Sequence, residues 1–261
     1  MPLLSISGLT KTFGGLMAVK DVDVSIEPST ILGMIGPNGA GKTTVFNLVT
    51  GIYTPDRGTV QFDGRSLIGM RPHAIAAAGV ARTFQTIRLF PNLTVLENIM
   101  SGRDCRSQAG IMGAIFRPPR QRREERDIRA QAERHLRFMN IWQFRHELAK
   151  NLPYGDQRRV EVARALATDP KLLVLDEPAA GLNEHESGEL MALIRQIRDF
   201  GITIWLIEHD MKVVMGVSDQ IVVLDNGMKI AEGTPQAVQA NPRVIEAYLG
   251  REEEQEMWPN V

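Results

Sequence analysis

The chain has 261 residues and 43% hydrophobic content, so it can bury a full core and suits one α/β domain with an added subdomain. Its 30 Lys and Arg balance 31 Asp and Glu, and the net charge of −1 gives no global attraction to nucleic acid or anionic lipid. The single Cys105 excludes an intramolecular disulfide framework, the histidines lack zinc-ligand spacing, and no apolar stretch reaches the roughly 18 residues needed to cross a bilayer. We therefore expect a soluble, cytoplasmic chain from a reducing compartment.

Predicted strands dominate the beginning of the chain. Alternating or apolar stretches at residues 3–9, 22–26 and 58–62 are separated by turn residues, and they predict a β-rich flank. A continuous apolar run at residues 31–35 predicts a buried strand beside that flank.

A glycine-rich loop follows this buried strand and precedes a helical stretch at residues 44–50. It fits the pattern G-x-x-x-x-G-K-[ST] and reads Gly36-Pro37-Asn38-Gly39-Ala40-Gly41-Lys42-Thr43. In such a loop, backbone N–H groups turn inward around a phosphate chain, and the helix N-terminus adds about half a positive charge. Lys42 would reach the β- and γ-phosphates, and the Thr43 hydroxyl would ligate Mg²⁺. The loop therefore predicts nucleotide binding rather than an ordinary glycine-rich turn.

The character of the sequence changes between about Phe90 and Leu152. Strand patterns disappear, and residues 94–101 and 122–139 are predicted to be helices, which indicates a helical insertion. Arginines interleaved with acids run through the second helix and the segment before it: Arg117, Arg120, Arg122, Arg123, Arg126, Arg129, Arg134 and Arg137. We interpret them as a solvated helix face with i,i+4 pairs, and contact with a partner or with lipid headgroups is the alternative.

Strands and helices alternate in the remainder of the chain. Strands are predicted at residues 172–175 and 203–207, a helix at 184–200, and a hairpin at 221–224 and 229–231. This alternation predicts a largely parallel sheet. The strand at 172–175 is followed by Asp176 and Glu177, at the sheet edge where α/β proteins place ligands. Asp176 can hold Mg²⁺ and Glu177 can polarise an attacking water, which suits phosphoryl transfer.

Three segments in this order resemble the ATP-binding subunits of ABC transporters: residues 31–44, residues 153–166, and the strand ending in Asp176-Glu177. The resemblance covers nearly the whole chain. Residues 82–85, 87–90 and 176–183 look most like the branched-chain (hydrophobic) amino acid importers. The family implies an α/β fold, a P-loop NTPase (RecA-like) core with an antiparallel β flank and a helical insertion subdomain. On this chain the core would span residues 1–89 and 153–235, the insertion 90–152, and a C-terminal helical extension with an acidic tail 236–261.

The resemblance also assigns roles to single residues. Phe13 stands where the family places an aromatic that stacks on adenine, with a core phenylalanine as the alternative. Gln85 matches a glutamine that touches Mg²⁺ or the attacking water. His209 matches the switch histidine that contacts the γ-phosphate, with a structural histidine as the alternative. The implied catalytic residues are Lys42, Gln85, Glu177 and His209, and the implied metal ligands are Thr43, Gln85 and Asp176. The implied ATP contacts are Phe13, Gly36, Pro37, Asn38, Gly39, Ala40, Gly41, Lys42, Thr43 and Thr44, with Gly155 supplied to the opposing subunit.

The signature segment departs from the family pattern. Members typically read Leu-Ser-Gly-Gly-Gln where this chain has Leu152-Pro153-Tyr154-Gly155-Asp156. Pro153 has no hydroxyl for the γ-phosphate held by the opposing subunit, and Asp156 adds a negative charge near that anion. Gly155 and the helix N-terminus can still offer N–H groups. Asn183 likewise stands where many relatives carry an aspartate. These changes leave the P-loop of this chain intact. They affect the contacts that this chain can make with the ATP bound by the opposing subunit.

The resemblance implies an ATPase that dimerises head to tail with a second ATP-binding subunit, either itself or a paralogue. It would power uptake of branched-chain or other hydrophobic amino acids through membrane permease subunits, with ATP and Mg²⁺ as cofactors. An extracytoplasmic solute-binding protein is an indirect partner, and the cytoplasmic face of the inner (cell) membrane is the expected location. A permease helix is expected to dock near residues 85–90, where Leu89, Phe90 and Leu93 are either apolar contacts or subdomain core.

Two other functions are open at this point. A related ATPase that drives urea uptake or lipid-linked glycan export would share these residues, because other subunits choose the cargo. A soluble ABC protein acting on DNA or ribosomes would usually carry two cassettes, a long coiled-coil insertion or basic extensions. This chain shows one P-loop, a short insertion and a net charge of −1, so we expect no nucleic-acid partner.

Overall fold

The computed structural model describes residues 1–103 and 119–249, which form two β-sheets and the helices around them. Cys105, Arg117 and the acidic tail at residues 251–256 lie outside the described residues, as do the predictions made on them. Across the two described ranges, no helix is both long enough and apolar enough to cross a membrane.

The first sheet is antiparallel and has four strands in the order β2-β1-β4-β5. They are β1 (Leu4–Phe13), β2 (Leu16–Ile26), β4 (Arg57–Phe62) and β5 (Arg65–Ser66). Leu4 pairs with Ile26 on β2 and with Phe62 on β4, and all three are buried on one face. The predicted β flank is confirmed. Its first two strands are longer than predicted because a tight turn at residues 14–15 joins them directly.

The second sheet has six strands in the order β10-β9-β3-β8-β7-β6. They are β3 (Ile31–Ile35), β6 (Val80–Arg82), β7 (Leu172–Asp176), β8 (Thr203–Ile207), β9 (Gln220–Asp225) and β10 (Met228–Gly233). Every residue of β3, β7 and β8 is buried, as is typical of parallel strands covered on both faces. The pairings are parallel except that of β9 with β10, so the predicted largely parallel sheet is confirmed.

Helices cover the sheets, and two of them begin with a capping box. Thr94 and Glu97 cap one, and Asn183 and Glu186 cap another, so Asn183 has a local role as a helix cap. The helices are α1 (Lys42–Val49), α2 (Pro72–Ala78), α3 (Val95–Ser101), α4 (Pro119–Phe138), α5 (Tyr154–Leu166), α6 (Glu184–Asp199), α7 (Met211–Val217), α8 (Pro235–Gln239) and α9 (Pro242–Leu249). Short 3₁₀ turns lie at Trp142–Phe144 and Ala149–Asn151.

Two of the three apolar cores formed by the described residues lie on opposite faces of the parallel sheet. Leu4, Val45 and Trp205 belong to the core that joins the antiparallel sheet, α1 and one face of β8. Leu136 and Ile204 belong to the core that joins α3, α4, α5 and α6 to the other face, since neighbouring residues of a strand point to opposite faces. The carboxyl ends of the parallel strands are thereby left together at one edge, where α/β proteins bind ligands.

The arginine-rich helix α4 exposes most of its described charged side chains. Arg129 pairs with Glu133 at 3.2 Å, an i,i+4 contact expected on a solvated face. Ala132 and Leu136 are buried in the helical core on the other side. The division of the chain into a core, an insertion at 90–152 and a C-terminal extension stays a prediction.

Candidate functional site

The predicted glycine loop joins β3 to α1, and two glycines shape it. Gly36 has a φ of 150°, and a Cβ there would lie 2.0 Å from the Leu224 carbonyl oxygen. Gly41, directly before α1, has a φ of 99°, and a Cβ there would lie 2.5 Å from the Ala18 carbonyl oxygen. No side chain fits at either position, so the loop requires both glycines.

Lys42 begins α1 and folds back over the loop. Its buried ammonium donates to the carbonyl oxygens of Gly36 and Pro37, the latter at 3.0 Å. The first-turn N–H groups of a helix have no intrahelical partner, and the helix dipole is positive at this end. The cation and these amides therefore form a cradle suited to a phosphate chain. The remaining loop positions comprise the buried Ala40, the exposed Asn38, Gly39 and Thr43, and the half-buried Thr44.

Asp176 lies at the carboxyl end of β7, two strands along the sheet from β3. Its Oδ2 accepts a hydrogen bond from Nη2 of Arg82 at 2.8 Å, and the two side chains are only 5% and 7% exposed. Arg82 ends the adjacent strand β6 and also donates to side chains of Asn47 and Thr50 at the end of α1. Sequence reasoning missed this role of Arg82, which is 94 positions from Asp176 along the chain.

Glu177 follows Asp176 and is the centre of a polar cluster. Its Oε2 accepts a hydrogen bond from Gln85 Nε2 at 2.8 Å and lies 3.8 Å from His209 Nδ1. The φ of Glu177 is 48°, a left-handed conformation that costs a residue with a side chain about 1 to 3 kcal/mol. His209 is 60% exposed, which disfavours the alternative of a structural histidine. The fold thus brings three of the sequence-predicted catalytic residues together.

A further carboxyl group, Glu208, is buried beside this cluster. Its Oε1 accepts a hydrogen bond from the Ala179 N–H at 2.7 Å. Its Oε2 lies 3.9 Å from His209 Nδ1 and makes no hydrogen bond within the described part of the chain. Burial raises the pKa of Glu208 to about 7, against the opposing effects of the Ala179 hydrogen bond and of His209. Sequence reasoning missed Glu208, for which the neighbouring His209 was the available signal.

Helix α5 holds the backbone on both sides of the Gln85 side chain. Arg158 is completely buried and donates to the carbonyl oxygens of Phe84 and Gln85 at 2.8 and 2.9 Å. Glu161 pairs with Arg158 at 3.0 Å and accepts from the Arg88 N–H at 3.3 Å. Burial raises the pKa of Glu161, and the charge of Arg158 opposes that shift. The Gln85 segment, residues 84–88, is therefore anchored to α5.

The unusual signature residues lie at the start of α5. Pro153 is the residue before the first helical position, and no side-chain hydrogen bond caps the helix there. Gly155 faces α6, since a Cβ on it would lie 3.1 Å from Glu186 Oε1. Burial raises the pKa of Asp156, opposed by Arg159 and reinforced by Glu186. The raised pKa means that Asp156 is less readily ionised than a solvated aspartate.

Phe13 ends β1 and is 40% exposed, so the alternative of a core phenylalanine is wrong. Its ring packs edge-on against Tyr53 with centroids 5.1 Å apart, and Lys11 Nζ lies 5.4 Å from the ring centroid. These contacts support an aromatic surface on which a planar base could stack. Stacking on adenine stays a prediction.

A groove of about 910 Å³ lies beside the Gln85 segment. Phe84, Leu89 and Phe90 line it together with Arg164 from α5. Phe90 and Leu93 are exposed, so the subdomain-core alternative is wrong for these two, whereas Leu89 is half-buried against the helical core. The groove therefore offers apolar surface to a partner at this position.

A phosphate-binding loop on one strand, with two carboxylates ending a strand of the same sheet, is the arrangement of a P-loop nucleoside triphosphatase. Comparison with known proteins narrows this class. The chain is 47% identical to the high-affinity branched-chain amino acid transport ATP-binding protein BraF of Pseudomonas aeruginosa, covering 95% of this chain and 98% of BraF. It is 46% identical to the corresponding protein LivG of Escherichia coli, with the same coverage.

A solved structure and two family matches agree with these relatives. The ADP conformation of an ATP-binding cassette of an ABC transporter superposes with a TM-score of 0.84 at 32% identity, covering 96% of this chain and 100% of that one. Residues 19–180 match the ABC transporter family, and residues 228–254 match the branched-chain amino acid ATP-binding cassette transporter family. The chain belongs to the ABC transporter family as an ATP-binding, ATP-hydrolysing subunit.

Proposed function

We propose that this subunit hydrolyses ATP to drive uptake of branched-chain or other hydrophobic amino acids through a membrane permease. The family match at residues 228–254 and the identity with BraF and LivG support this cargo. The hydrolytic role is supported above all by the cluster around Glu177. The Oε2 atom of Glu177 lies 2.8 Å from Gln85 Nε2 and 3.8 Å from His209 Nδ1.

In the proposed reaction, water attacks the γ-phosphate and the β,γ bond breaks. Lys42 would exchange its carbonyl partners for phosphate oxygens, which are stronger acceptors because they are charged. Glu177 would orient the water and accept its proton, while His209 braces the γ-phosphate. Phe13 would stack on adenine, and the loop from Gly36 to Thr44 would bind the phosphates through its amides.

The residues present fit a magnesium ion. Thr43, Gln85 and Asp176 offer hydroxyl, amide and carboxylate oxygens, which are the hard donors that Mg²⁺ prefers. Asp176 uses Oδ2 to accept from Arg82, and its Oδ1 accepts no hydrogen bond from the residues at 1–103 and 119–249. Bound with ATP, the ion would neutralise charge on the β- and γ-phosphates.

The proposed working unit is a head-to-tail dimer docked on a permease. The backbone N–H groups of Gly155 and its neighbours at the start of α5 would donate to the ATP held by the other subunit. The permease would contact the groove lined by Phe84 and Phe90, and a solute-binding protein would act on the permease from the opposite side of the membrane. This arrangement puts the chain at the cytoplasmic face of the inner membrane.

The replacement Glu177→Gln tests the chemistry separately from binding. It keeps the shape of the side chain and removes the charge that orients water, so we expect retained ATP affinity and a rate loss of about 10²-fold or more. An ATP-bound dimer should then persist in size-exclusion chromatography with Mg²⁺-ATP. Lys42→Ala is the matched variant that should lose both binding and turnover. Hydrolysis by E177Q at the parental rate would place the catalytic carboxylate elsewhere.

The cargo is tested in proteoliposomes that contain this chain with its cognate permease and solute-binding protein. We expect ATP-dependent uptake of radiolabelled leucine, and none when the chain carries Lys42→Ala. Uptake of urea without uptake of leucine would assign the chain to a related transport system and contradict the proposed cargo.

A further inference from the structure

Arg82 connects two parts of the site that are distant in sequence. From the end of β6, its Nη2 donates to Asp176 Oδ2 at 2.8 Å. Its Nη1 donates to Asn47 Oδ1 at 2.7 Å and to Thr50 Oγ1 at 3.1 Å. Asn47 lies in α1 and Thr50 ends that helix, so one guanidinium bridges the carboxylate strand and the helix that carries Lys42.

The guanidinium of Arg82 is fixed in orientation before any ligand binds. The side chain is almost fully buried, and its Cζ lies 5.7 Å from the ring centroid of Phe46 and 5.1 Å from that of Phe84. A planar fork of donors among aromatic rings suits arginine, whereas a lysine ammonium could not reach all three acceptors in this geometry.

Only one of the two carboxylate oxygens of Asp176 accepts a hydrogen bond from the described residues. Oδ2 is occupied by Arg82, while Oδ1 accepts no hydrogen bond from the described residues. A metal-binding carboxylate is commonly oriented in this way, because a partner on one oxygen fixes the direction in which the other points. Loss of such a partner typically lowers metal affinity by about 10- to 100-fold.

We propose that Arg82 is a positioning residue that orients Asp176 so that Oδ1 is presented to the magnesium ion of Mg²⁺-ATP. The proposal rests on the proposed role of Asp176 as a magnesium ligand. We further propose that the hydrogen bonds from Arg82 to Asn47 and Thr50 fix the position of the Asp176 carboxylate relative to α1. The carboxylate is thereby also positioned relative to Thr43 at the start of the same helix.

The test measures Mg²⁺-dependent nucleotide binding by the purified full chain. Fluorescent ADP, which is not hydrolysed, is titrated first in EDTA and then at increasing Mg²⁺. Arg82→Met should leave the affinity in EDTA unchanged and raise the half-saturating Mg²⁺ concentration by about 10-fold or more. Arg82→Lys, which retains a cation, should give an intermediate value. Arg145→Met is the matched control, since Arg145 also stacks on an aromatic ring, that of Trp142, outside the site.

Each outcome of this test decides the proposal. The same half-saturating Mg²⁺ for Arg82→Met and the parent, or a lower one, would overturn it. If Arg82→Met does not fold, Arg82→Lys and Asn47→Leu carry the test, and parental values for both would overturn it. The assignment of Asp176 itself is checked by Asp176→Asn. Parental Mg²⁺ dependence in that variant would refute the metal site, which separates failure of the proposed function from failure of the role of Arg82.

Discussion

Replacing Glu208 by glutamine should change how the stability of the protein depends on pH. The variant removes a buried ionisable group but keeps an Oε1 that can accept from the Ala179 N–H. Burial raises the pKa of Glu208 from 4.5 to about 7. An acid whose pKa is higher in the folded state holds its proton more tightly there, so the folded state is penalised as the group ionises. The contribution of the neutral carboxyl is therefore fully present below pH 4.5, falls as the pH rises, and is lost above about pH 7.

The size of the effect follows from the same two values. The pKa rises from 4.5 to about 7, and at about 1.4 kcal/mol for each pH unit this corresponds to about 3.5 kcal/mol of unfolding free energy over the full titration. Burial also raises the pKa of Glu161 and of Asp156, but these groups are present in both proteins and cancel in the comparison.

The assay is urea unfolding of the parent and of E208Q at several values between pH 5 and 8, followed by tryptophan fluorescence. The free energy of unfolding of the variant, relative to the parent, should rise by about 2.5 kcal/mol between pH 5 and 8, because part of the change lies below pH 5. Glu27→Gln makes the same change on the exposed surface and is the control for the loss of a carboxylate. Parallel pH profiles for the parent and E208Q would refute the reasoning.

Further replacements test the predicted stacking residue, the predicted catalytic glutamine and the signature segment. Phe13→Ala should weaken binding of fluorescent ATP by about 1 to 3 kcal/mol, the usual value of stacking on a base, while Phe13→Tyr should bind normally; equal affinities would contradict the stacking role. Gln85→Ala should lower kcat and spare nucleotide affinity in steady-state and binding assays, and an unchanged kcat would remove Gln85 from the catalytic group. Pro153→Ser combined with Asp156→Gln, in a Glu177→Gln background, should tighten ATP-dependent dimerisation measured by sedimentation. Unchanged dimer affinity would mean that the amides at the start of α5 suffice.

Sequence patterns predicted the parts of the fold that depend on local geometry. The apolar run at 31–35 coincides with β3, because a strand buried on both faces needs a continuous apolar sequence. The glycine loop was predictable because Gly36 and Gly41 adopt backbone conformations that residues with a side chain rarely adopt. The loop therefore needs glycine at these positions, and the sequence pattern shows it. The strand β6 was missed because it has three residues, too few to show a period, and its pairing with β7 defines it.

Charged groups inside the protein could not be predicted from the sequence. Arg158 and Glu161 lie one turn apart on α5, and such a pair is ordinarily expected on an exposed face. They are buried because the Arg158 guanidinium finds its acceptors in the Gln85 segment, 73 positions earlier in the chain. The contact of Arg82 with Asp176 spans 94 positions. Local patterns carry no information on partners at such distances, so these features of the site appear only in the folded chain.

Gln85 is held at two points by separate parts of the molecule. Its carbonyl oxygen accepts from Arg158 on α5, while its side chain donates to Glu177 beyond the end of β7. Arg158 lies eight positions, or about 12 Å, from the last residue of α5, so a rotation of about 10° about that end would displace Arg158 by about 2 Å. A shift of that size along the bond would lengthen the 2.8 Å contact between Gln85 and Glu177 beyond hydrogen-bonding distance. The hydrogen bond between Gln85 and Glu177 therefore depends on how α5 is placed relative to the end of β7.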